Sequence, residues 1–302
     1  MGVGGRTPRR EPLVFVWVAQ PPGEPPVWVA HCQMSHPSGL PMEHQELYKH
    51  PLWYDIAFDV RPVKQECAFM RDRFERLAKR KLASAVELAS GPGYHALEFS
   101  RMRIRSLAVD LEAAMVEYLR EKAERQETLV EVLQGDMRDF TLPYPVDLAY
   151  TLFGSFNYLL TNQDILNHFR AVYQNLAPAG IYIVELPHPR RFLRGESVTQ
   201  DTWTERRGDI EVTTRWDVDR ATPDALTQVC EIRSEFEVRT RGKRRVLRTR
   251  GRQRVLFAQE IRSLAETQGL FTVREWYGSM DSKIHFDYSK KSWRMVAVLQ
   301  KL

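Results

Sequence analysis

The sequence predicts an α/β fold, in which a mainly parallel sheet carries helices on both faces and a small antiparallel β insertion follows its fifth strand. Three observations predict it. Short apolar runs alternate with amphipathic helical segments between residues 64 and 189, which is typical of a parallel sheet. A turn containing two glycines joins the first apolar run to the next helix. After Pro189 the segments instead alternate polar and apolar residues.

The first predicted element is an amphipathic helix over 64–82, where apolar residues recur at three- and four-residue steps. The chain then switches repeatedly between strand and helix patterns. The predicted strands are 84–89, 106–111, 128–134, 146–153 and 181–187, and the helices between them are 93–102, 112–125 and 164–177. Strands that alternate with helices of this length predict one parallel sheet with helices on both faces.

The segment after Pro189 predicts an antiparallel meander of three or four strands. Its alternating stretches are 203–219, 226–240 and 244–257, with turn residues between them. A helix over 258–269 and two final strands, 271–278 and 292–302, follow. We expect the meander to shape a substrate pocket or to pair with a second subunit in a homodimer.

These patterns divide the chain into four parts. We predict an irregular or disordered arm at 1–41, which is rich in Pro and Gly, and a lid and helix at 42–82. The main α/β domain covers 83–190 and 258–302, and the β insertion over 191–257 separates its two parts.

Composition limits the binding partners and the cellular location that we expect for the protein. The 302 residues carry a net charge of +5, which fits an anionic substrate but is well below the charge density of a dedicated nucleic-acid binder. Cys32, Cys67 and Cys230 form neither a disulfide framework nor a zinc pattern, so we expect no metal site and a cytoplasmic location. The apolar run at 13–19 is too short to span a bilayer, and prolines follow it where a signal peptide would be cleaved.

A nucleotide-binding pattern lies at the end of the first strand, over Glu87–Gly93. Glycines allow a tight turn and a close approach of the backbone to a ligand, and the next helix offers unpaired N–H groups. Asp110 ends the following strand, where a carboxylate can accept both hydroxyls of a ribose. The stretch 91–96 also satisfies the G-x-G-x-x-G/A fingerprint, so a nicotinamide dinucleotide remains an alternative ligand.

Four features favour a methyltransferase over a dehydrogenase. Glu87 places an acid within the strand of the turn, and Gly135-Asp136-Met137 closes the third strand with a carboxylate that can meet an adenine amino group. A helix precedes the first strand, whereas a dehydrogenase domain usually begins with the strand. Two strands end the sequence, as in the closing hairpin of a methyltransferase sheet.

The sequence resembles the class I S-adenosylmethionine-dependent methyltransferases, and more narrowly the branch with small-molecule and amino-sugar N-methyltransferases. The resemblance covers roughly 48–302 and implies a Rossmann-like, seven-stranded sheet. The phrases that carry it are YDIAFD (54–59), VELASGPGYHALEF (86–99), AVDLEAAM (108–115), QGDMRDF (134–140), LFGSFNYLLTNQD (152–164) and LAPAGIYIVELPHP (176–189).

The resemblance implies S-adenosyl-L-methionine as cofactor and assigns contacts along its whole length. The residues implied are Glu87, Ala89, Gly91 and Gly93 for the methionine part, Asp110 for the ribose, Leu111, Asp136 and Met137 for adenine, Leu152 and Phe153 for the sulfonium end, and Tyr54 and Arg61 as a cover, with Arg61 meeting the cofactor's carboxylate. Two positions depart from the family pattern: Ala89 stands where glycine is commoner, and Tyr94 where this branch often has arginine.

Methyl transfer from a sulfonium is an in-line displacement with a good leaving group, so alignment and exclusion of water matter more than a strong base. An amine need only arrive neutral, whereas a hydroxyl needs a proton acceptor. We expect the catalytic contacts to come from loops at the carboxyl edge and from the lid. The candidates are His188, Asn157 and Tyr54, followed by Phe156, Tyr158, Asp55 and His285.

Several alternatives remain open. The acceptor is a small molecule that we expect to be an amine, with O-methylation as a close variant and a nicotinamide-dependent oxidoreductase as a different class. The basic stretch 239–254 is either a solvated hairpin face or a phosphate or nucleic-acid contact, the latter as part of an RNA methyltransferase. No aromatic residues interleave its charges, which disfavours base stacking.

Overall fold

The computed structural model describes residues 45–190, 192, 202–218 and 221–302. The predicted arm at 1–41 therefore lies outside the described residues. The helices are α1 (Gln45–Tyr48), α2 (Pro51–Ala57), α3 (Val63–Ala78), α4 (Tyr94–Arg101), α5 (Ala113–Arg125), α6 (Asn162–Asn175) and α7 (Ala258–Thr267), with a 3-10 helix at Ser155–Tyr158.

Two sheets organise the chain. The strands are β1 (Ser84–Leu88), β2 (Arg105–Asp110), β3 (Val130–Gln134), β4 (Val146–Thr151), β5 (Leu176–Pro187), β6 (Thr202–Arg207), β7 (Ile210–Arg215), β8 (Val229–Thr240), β9 (Lys243–Arg254), β10 (Phe271–Tyr277) and β11 (Arg294–Lys301).

The larger sheet has seven strands in the order β10-β11-β5-β4-β1-β2-β3. Strands β5, β4, β1, β2 and β3 run parallel, and β11 is antiparallel to both β5 and β10. Strands β2 and β3 are added on one side of β1, and β4 and β5 on the other. The order of the strands therefore reverses between β1 and β4, and ligands of such sheets bind in the crevice that opens at the carboxyl ends of these two strands. The predicted α/β fold with a seven-stranded sheet is confirmed.

The smaller sheet has four antiparallel strands in the order β6-β7-β8-β9. The predicted first stretch, 203–219, forms two strands that turn at Gly208, whose φ is +62°. A Cβ there would meet nothing within 4 Å, so the left-handed backbone alone explains the glycine. The antiparallel insertion after strand five is confirmed.

Two predicted boundaries were wrong for local reasons. The helix predicted over 64–82 ends at Ala78, because Lys79 adopts a left-handed conformation with φ of +57°. The strand predicted to begin at residue 181 begins at Leu176, inside the predicted helix 164–177, because Pro178 prevents the helix from continuing.

The inner strands of the larger sheet are buried on both faces, which is why they are nearly continuous apolar runs, whereas the outer strands β3 and β10 have exposed residues. All six residues of β4 are buried. One face packs around Phe169 and Phe271, and the other around Phe74 and Phe99. No helix among the described residues is long and apolar enough to cross a membrane.

The basic stretch predicted at 239–254 lies mainly on β9, where three of its arginines pair with carboxylates of β8. Antiparallel pairing places arginines of one strand beside glutamates of the other. The pairs are Arg244–Glu237, Arg248–Glu235 and Arg250–Glu231, with N···O distances of 2.9, 3.1 and 3.7 Å. Paired charges of both signs favour the solvated-face alternative over a phosphate-binding surface.

Candidate functional site

A cleft opens at the carboxyl edge of the larger sheet, between the ends of β1 and β4. It encloses about 360 Å³, its solvent-open part included. The lid helix α2, the turn after β1 and the turn after β4 supply its walls. The lining residues are Tyr54, Phe58, Glu87, Ala89, Ser90, Gly91, Pro92, Tyr94, Leu152, Phe153 and Ser155.

The turn after β1 has three left-handed residues, Ala89, Gly91 and Gly93, with φ of +52°, +49° and +68°. A Cβ on Gly93 would lie 2.4 Å from Leu119 Cδ1, so a larger residue there would have to displace the Leu119 side chain and also adopt a left-handed backbone. Ala89 holds a conformation that costs an L-residue about 1–2 kcal/mol. Its strained backbone lies in the cleft wall, where such strain commonly marks a functional site.

Glu87 lies at the base of the cleft and is 4 % exposed. Its Oε2 accepts a hydrogen bond of 2.9 Å from the Ala96 N–H at the start of α4, and its Oε1 lies 3.4 Å from His95 Nδ1. Burial alone would lower the pKa of His95, but hydrogen bonds to Glu66 and Glu87 raise it to about 9. His95 is therefore an imidazolium at neutral pH.

A buried, charge-balanced cluster extends from Glu87 beneath the cleft. It contains three cations and three carboxylates, all in or near ion-pair contact. Its members are Arg61, His95 and Arg294 with Glu66, Glu87 and Glu185, and the linking distances are 2.6 Å for Arg61–Glu66, 2.8 Å for Arg61–Glu185, 2.7 Å for His95–Glu66 and 3.1 Å for Arg294–Glu185. Sequence reasoning missed His95, Glu66, Glu185 and Arg294.

Arg61, predicted to meet a cofactor carboxylate, is not among the residues lining the cleft. Its guanidinium is held between Glu66 and Glu185 and lies 4.4 Å above the ring centre of Phe153. Glu185 Oε2 also accepts a 3.2 Å hydrogen bond from the Phe153 N–H. Phe153 has a φ of +57°, so Glu185 and Arg61 together hold the strained turn that ends β4.

Asp110 ends β2, the neighbour of β1, and its carboxylate points back to the glycine turn. Oδ2 accepts 2.6 Å from the Gly91 N–H, and Oδ1 accepts 2.9 Å from the Glu112 N–H. Burial raises the pKa of Asp110 to about 6 despite these two bonds. Leu111 follows it, half-buried, with its carbonyl bound by Gln134 Nε2.

Asp136 lies two residues beyond β3, and the loop it starts is joined to β2 by the bond from Gly135 N–H to Asp110 O, 2.9 Å. Its carboxylate is bound by Arg138, whose Nη2 is 2.6 Å from Oδ2. Burial opposes ionisation of Asp136, but Arg138 keeps its pKa below the usual value. Glu87 within β1, Asp110 at the end of β2 and Asp136 after β3 thus lie at the carboxyl ends of three adjacent strands, yet of these three only Glu87 lines the cleft.

Asp55 anchors the lid. The side chain is completely buried and accepts hydrogen bonds from Tyr118 Oη at 2.7 Å, Lys122 Nζ at 2.7 Å and Arg207 Nη1 at 2.6 Å. Burial would raise the pKa of Asp55, but Lys122 and Arg207 outweigh it and lower the pKa. One carboxylate therefore joins the lid helix α2 to α5 and to β6 of the insertion.

The glycine turn is part of the same arrangement. Lys122 Nζ also donates to the Pro92 carbonyl at 3.3 Å and lies 4.5 Å above the ring centre of Tyr94. Tyr94 Oη donates to the Asp55 carbonyl at 2.7 Å, so the residue that departs from the family pattern holds the lid. A lysine on the apolar face of a predicted helix, three residues after Leu119, was the sequence signal for this contact.

Tyr54 lies in the lid with its ring in the cleft wall. It stacks obliquely on Phe58 and Tyr48, with ring centres 4.5 and 5.6 Å apart. Burial, with Tyr158 and the Asp110 carboxylate nearby, raises the pKa of Tyr54. Phe58 packs in turn on Trp203 of β6, so the insertion supports the back of the lid.

The other catalytic candidates have structural partners. His188 is buried, and its Nδ1 accepts from the Arg190 N–H at 3.0 Å, so the hydrogen lies on Nε2, which donates to the Asp287 carbonyl at 2.9 Å. Neither nitrogen is available as a base in this arrangement. Asn157 donates to the Arg254 carbonyl, and its Oδ1 has no hydrogen-bond partner among the described residues.

The remaining candidates are dispersed. Phe156 is fully buried in the core against His168, and Tyr158 Oη lies 3.4 Å from Tyr48 Oη. His285 is exposed and forms an isolated bridge with Tyr277.

Comparison with known proteins agrees with this fold. Residues 85–180 match a family model described as methyltransferase domain. A crystal structure of an S-adenosylmethionine-dependent methyltransferase from Clostridium acetobutylicum ATCC 824 superposes with a TM-score of 0.68 at 14% identity, covering 85% of this chain and 98% of that one. The predicted methyltransferase fold is confirmed.

Two curated relatives match shorter stretches. A putative methyltransferase of Geobacillus sp. (strain WCH70) is 22% identical over 134 residues, which are 44% of this chain and 54% of that protein. The dTDP-4-amino-2,3,4,6-tetradeoxy-D-glucose N,N-dimethyltransferase of Saccharopolyspora spinosa is 31% identical over 102 residues, which are 34% and 39% of the two chains. The chain thus aligns with about half of the first relative's length and less of the second's.

The Asp55 anchor predicts a large difference between two neighbouring aspartates. Asp55→Asn leaves Lys122 buried without its counter-charge and should lower the free energy of unfolding by about 3–5 kcal/mol. Asp59 also pairs with Arg207, at 2.8 Å, but is 55% exposed. Asp59→Asn should cost under about 1 kcal/mol. Urea unfolding at constant m-value measures both, and equal losses would contradict the anchor role.

The buried His95 predicts a loss of stability in alkali. The pKa is about 9 in the folded protein and near 6.5 in the unfolded chain, so the folded state binds the extra proton between these values. Its contribution is complete below pH 6.5 and disappears as pH rises to 9, on the order of 3 kcal/mol. Urea midpoints of wild type and His95→Gln across this range test it, because the variant should show a flatter profile. Parallel profiles would disprove the assignment.

Proposed function

We propose that the protein is an S-adenosylmethionine-dependent methyltransferase that methylates an amine of a small molecule. The observation that carries the proposal is the cleft itself. It combines a strained glycine turn and a buried carboxylate with aromatic walls, and it lies at the switch point of a methyltransferase-type sheet. The curated relatives align over only 54% and 39% of their own lengths, so the proposed activity rests on the chemistry of the cleft.

The residues present fit the proposed cofactor. Ser90 lines the cleft, and its buried hydroxyl has no hydrogen-bond partner among the described residues. Such a group is costly unless a ligand binds it. In this proposal Glu87 would attract the cofactor's ammonium group, and Asp110 would accept the ribose hydroxyls beside the turn. Asp136, Met137 and Leu111 would hold adenine, while Ala89, Gly91, Gly93, Leu152 and Phe153 would surround the methionine and sulfonium end.

When bound, the cofactor supplies an electrophilic methyl group on a sulfonium. The chain's own residues align the acceptor with that methyl group and exclude water. Tyr54, Phe58 and Phe153 present ring surfaces, which suit a reaction that disperses positive charge rather than creating it. Arg61 acts through Phe153 and Glu185, holding the turn. His188 supports the loop at the end of β5, and Asn157 and Tyr54 are the proposed contacts to the acceptor.

The proton balance favours nitrogen as the acceptor atom. Among the described residues lining the cleft, Glu87 is the only carboxylate, and none is histidine, aspartate or lysine. Burial raises the pKa of the lining Tyr54 and Tyr94, so both phenols stay protonated. Glu87 is already engaged by His95 and the Ala96 N–H. A neutral amine needs no base before transfer and releases its proton to water afterwards, whereas a hydroxyl needs one in the transition state. The relative from Saccharopolyspora spinosa is named for an amino-sugar N,N-dimethyltransferase activity, which supports the same class.

The setting of the protein is part of this proposal. We propose a cytoplasmic enzyme, which agrees with Cys67 and Cys230 being buried as thiols. A homodimer through the β insertion is compatible with its exposed, charge-alternating face.

Cofactor binding can be tested with two matched aspartates. Asp110→Asn should weaken binding of S-adenosylhomocysteine by about 10–100-fold, the value of one or two charge-assisted hydrogen bonds. Wild-type affinity should also fall below pH 6, where Asp110 takes up a proton. Asp147 likewise accepts two backbone N–H groups, from Ala83 and Ser84, but at the amino end of β4, so Asp147→Asn should bind normally.

Isothermal titration measures both variants, with NADH as a parallel ligand. Saturable binding of NADH alone would contradict the methyltransferase proposal in favour of an oxidoreductase.

The acceptor atom can be tested by transfer of a labelled methyl group to paired amino and hydroxy compounds of the same carbon skeleton, including nucleotide-linked amino sugars. We expect turnover of amines to rise with pH as they become neutral. The matched alcohols should react at least about 100-fold more slowly, because no base assists them. Equal or faster methylation of the alcohols would overturn the assignment to nitrogen.

A further inference from the structure

A chain of hydrogen bonds runs through the apolar core beside the cleft. Thr151 Oγ1 lies 2.8 Å from Tyr182 Oη, Tyr182 Oη lies 2.5 Å from His168 Nε2, and His168 Nδ1 lies 2.7 Å from the Met137 carbonyl oxygen. The three side chains are completely buried. These hydrogen bonds link β4, β5 and α6 to the loop that follows β3.

The direction of every hydrogen in this chain is determined. The Met137 carbonyl can only accept, so Nδ1 of His168 carries the hydrogen. Burial lowers the pKa of His168 to about 4, so the ring is neutral and Nε2 must accept from the Tyr182 hydroxyl. The Tyr182 oxygen is then the acceptor for the Thr151 hydroxyl. Each buried donor in the chain has one acceptor.

The surroundings make this chain unusual. Phe156, Phe169 and Phe271 pack around these hydrogen bonds. The ring centre of Phe156 lies 5.3 Å from that of His168, and the ring centres of Phe169 and Phe271 lie 5.9 Å apart. An all-apolar core would fill the same space without burying polar groups, and a buried polar network imposes a particular arrangement only when it is fully paired. The arrangement imposed here is the position of the Met137 carbonyl relative to β4.

The two ends of the chain lie at the two ends of the proposed cofactor site. Met137 follows Asp136 in the loop assigned to adenine. Thr151 immediately precedes Leu152 and Phe153, which line the cleft at the sulfonium end. A shift of either end by about 1 Å would stretch a hydrogen bond beyond its ordinary length, and no water can replace that bond in a closed core.

We propose that His168 and Tyr182 are positioning residues, which set the adenine loop at a fixed distance from the turn that ends β4. The proposal rests on the proposed function, because adenine is assigned to Asp136 and Met137 there. Neither side chain lines the cleft, so both act through the backbone of the loop. A cofactor with the matching span then meets both ends at once, without the cost of ordering the loop.

The test uses two buried tyrosines and two ligands. Tyr182→Phe removes one hydroxyl from the chain, whereas Tyr150→Phe removes a buried hydroxyl that has no hydrogen-bond partner among the described residues. The ligands are S-adenosylhomocysteine and S-inosylhomocysteine, which lacks the adenine amino group. Calorimetric titration gives the affinity ratio of the two ligands for each protein, and thermal unfolding checks that each is folded.

We expect Tyr182→Phe to bind S-adenosylhomocysteine about 10-fold more weakly, the value of one lost buried hydrogen bond. Its preference for adenine over hypoxanthine should also shrink by several-fold, because the loop no longer meets the base in a fixed position. Tyr150→Phe should match wild type in both respects. A general loss of stability would lower both affinities and leave their ratio unchanged.

An unchanged ligand ratio in Tyr182→Phe would overturn the positioning role while leaving the proposed function intact. Failure of the wild type to bind S-adenosylhomocysteine would overturn the proposed function and this inference with it. If Tyr182→Phe does not fold, Thr151→Val decides, because it cuts the chain at β4 and keeps the bonds to Met137. Its ligand ratio should change in the same direction by a smaller factor, and an unchanged ratio counts against the proposal.

Discussion

The completely buried carboxylate of Asp55 is the interaction on which the site depends. It lies where three segments distant in sequence meet: the lid helix α2, helix α5 and strand β6. A charge in such a place requires counter-charges, and Lys122 and Arg207 come from two different parts of the fold. Since Lys122 also binds the Pro92 carbonyl, the lid, the glycine turn and the insertion are fixed by one set of charges.

The buried cluster of six charged residues stabilises the region beneath the cleft, as Asp55 stabilises the lid. Three positive and three negative groups balance, so the cavity floor is electrically neutral although it is built from charges. The same groups hold the left-handed turn at Phe153 and fix the orientation of Glu87. Rigid polar surroundings of this kind do not need to reorganise when a charged ligand arrives. In the proposed site the aromatic lid would exclude water, and the ionic floor would orient charge.

The sequence allowed the sheet, the insertion and the strand-end carboxylates to be predicted, because each follows from a local pattern. Glu87 lies near the end, and Asp110 at the end, of neighbouring apolar runs, and parallel pairing brings such ends together. The partners of Asp55 could not be predicted, because Arg207 is 152 residues away and only the packed insertion brings it to the lid. The family resemblance assigned Arg61 to the carboxylate of the cofactor. Its pairing with Glu185 could not be predicted, because it depends on how α3 approaches β5. His188 had the right residue type and place, but its Nδ1 accepts from the Arg190 N–H and its Nε2 donates to the Asp287 carbonyl.

The order of strands in the larger sheet has a consequence for how the protein is made. β10 is synthesised before β11 but pairs with no other strand of that sheet, since β11 separates it from β5. Until β11 emerges, β5 is an apolar edge with unpaired backbone groups, and β10 has no strand to pair with. A nascent or truncated chain that stops before residue 294 therefore exposes β5 as an aggregation-prone strand edge. Chaperones and proteases recognise chains in this state.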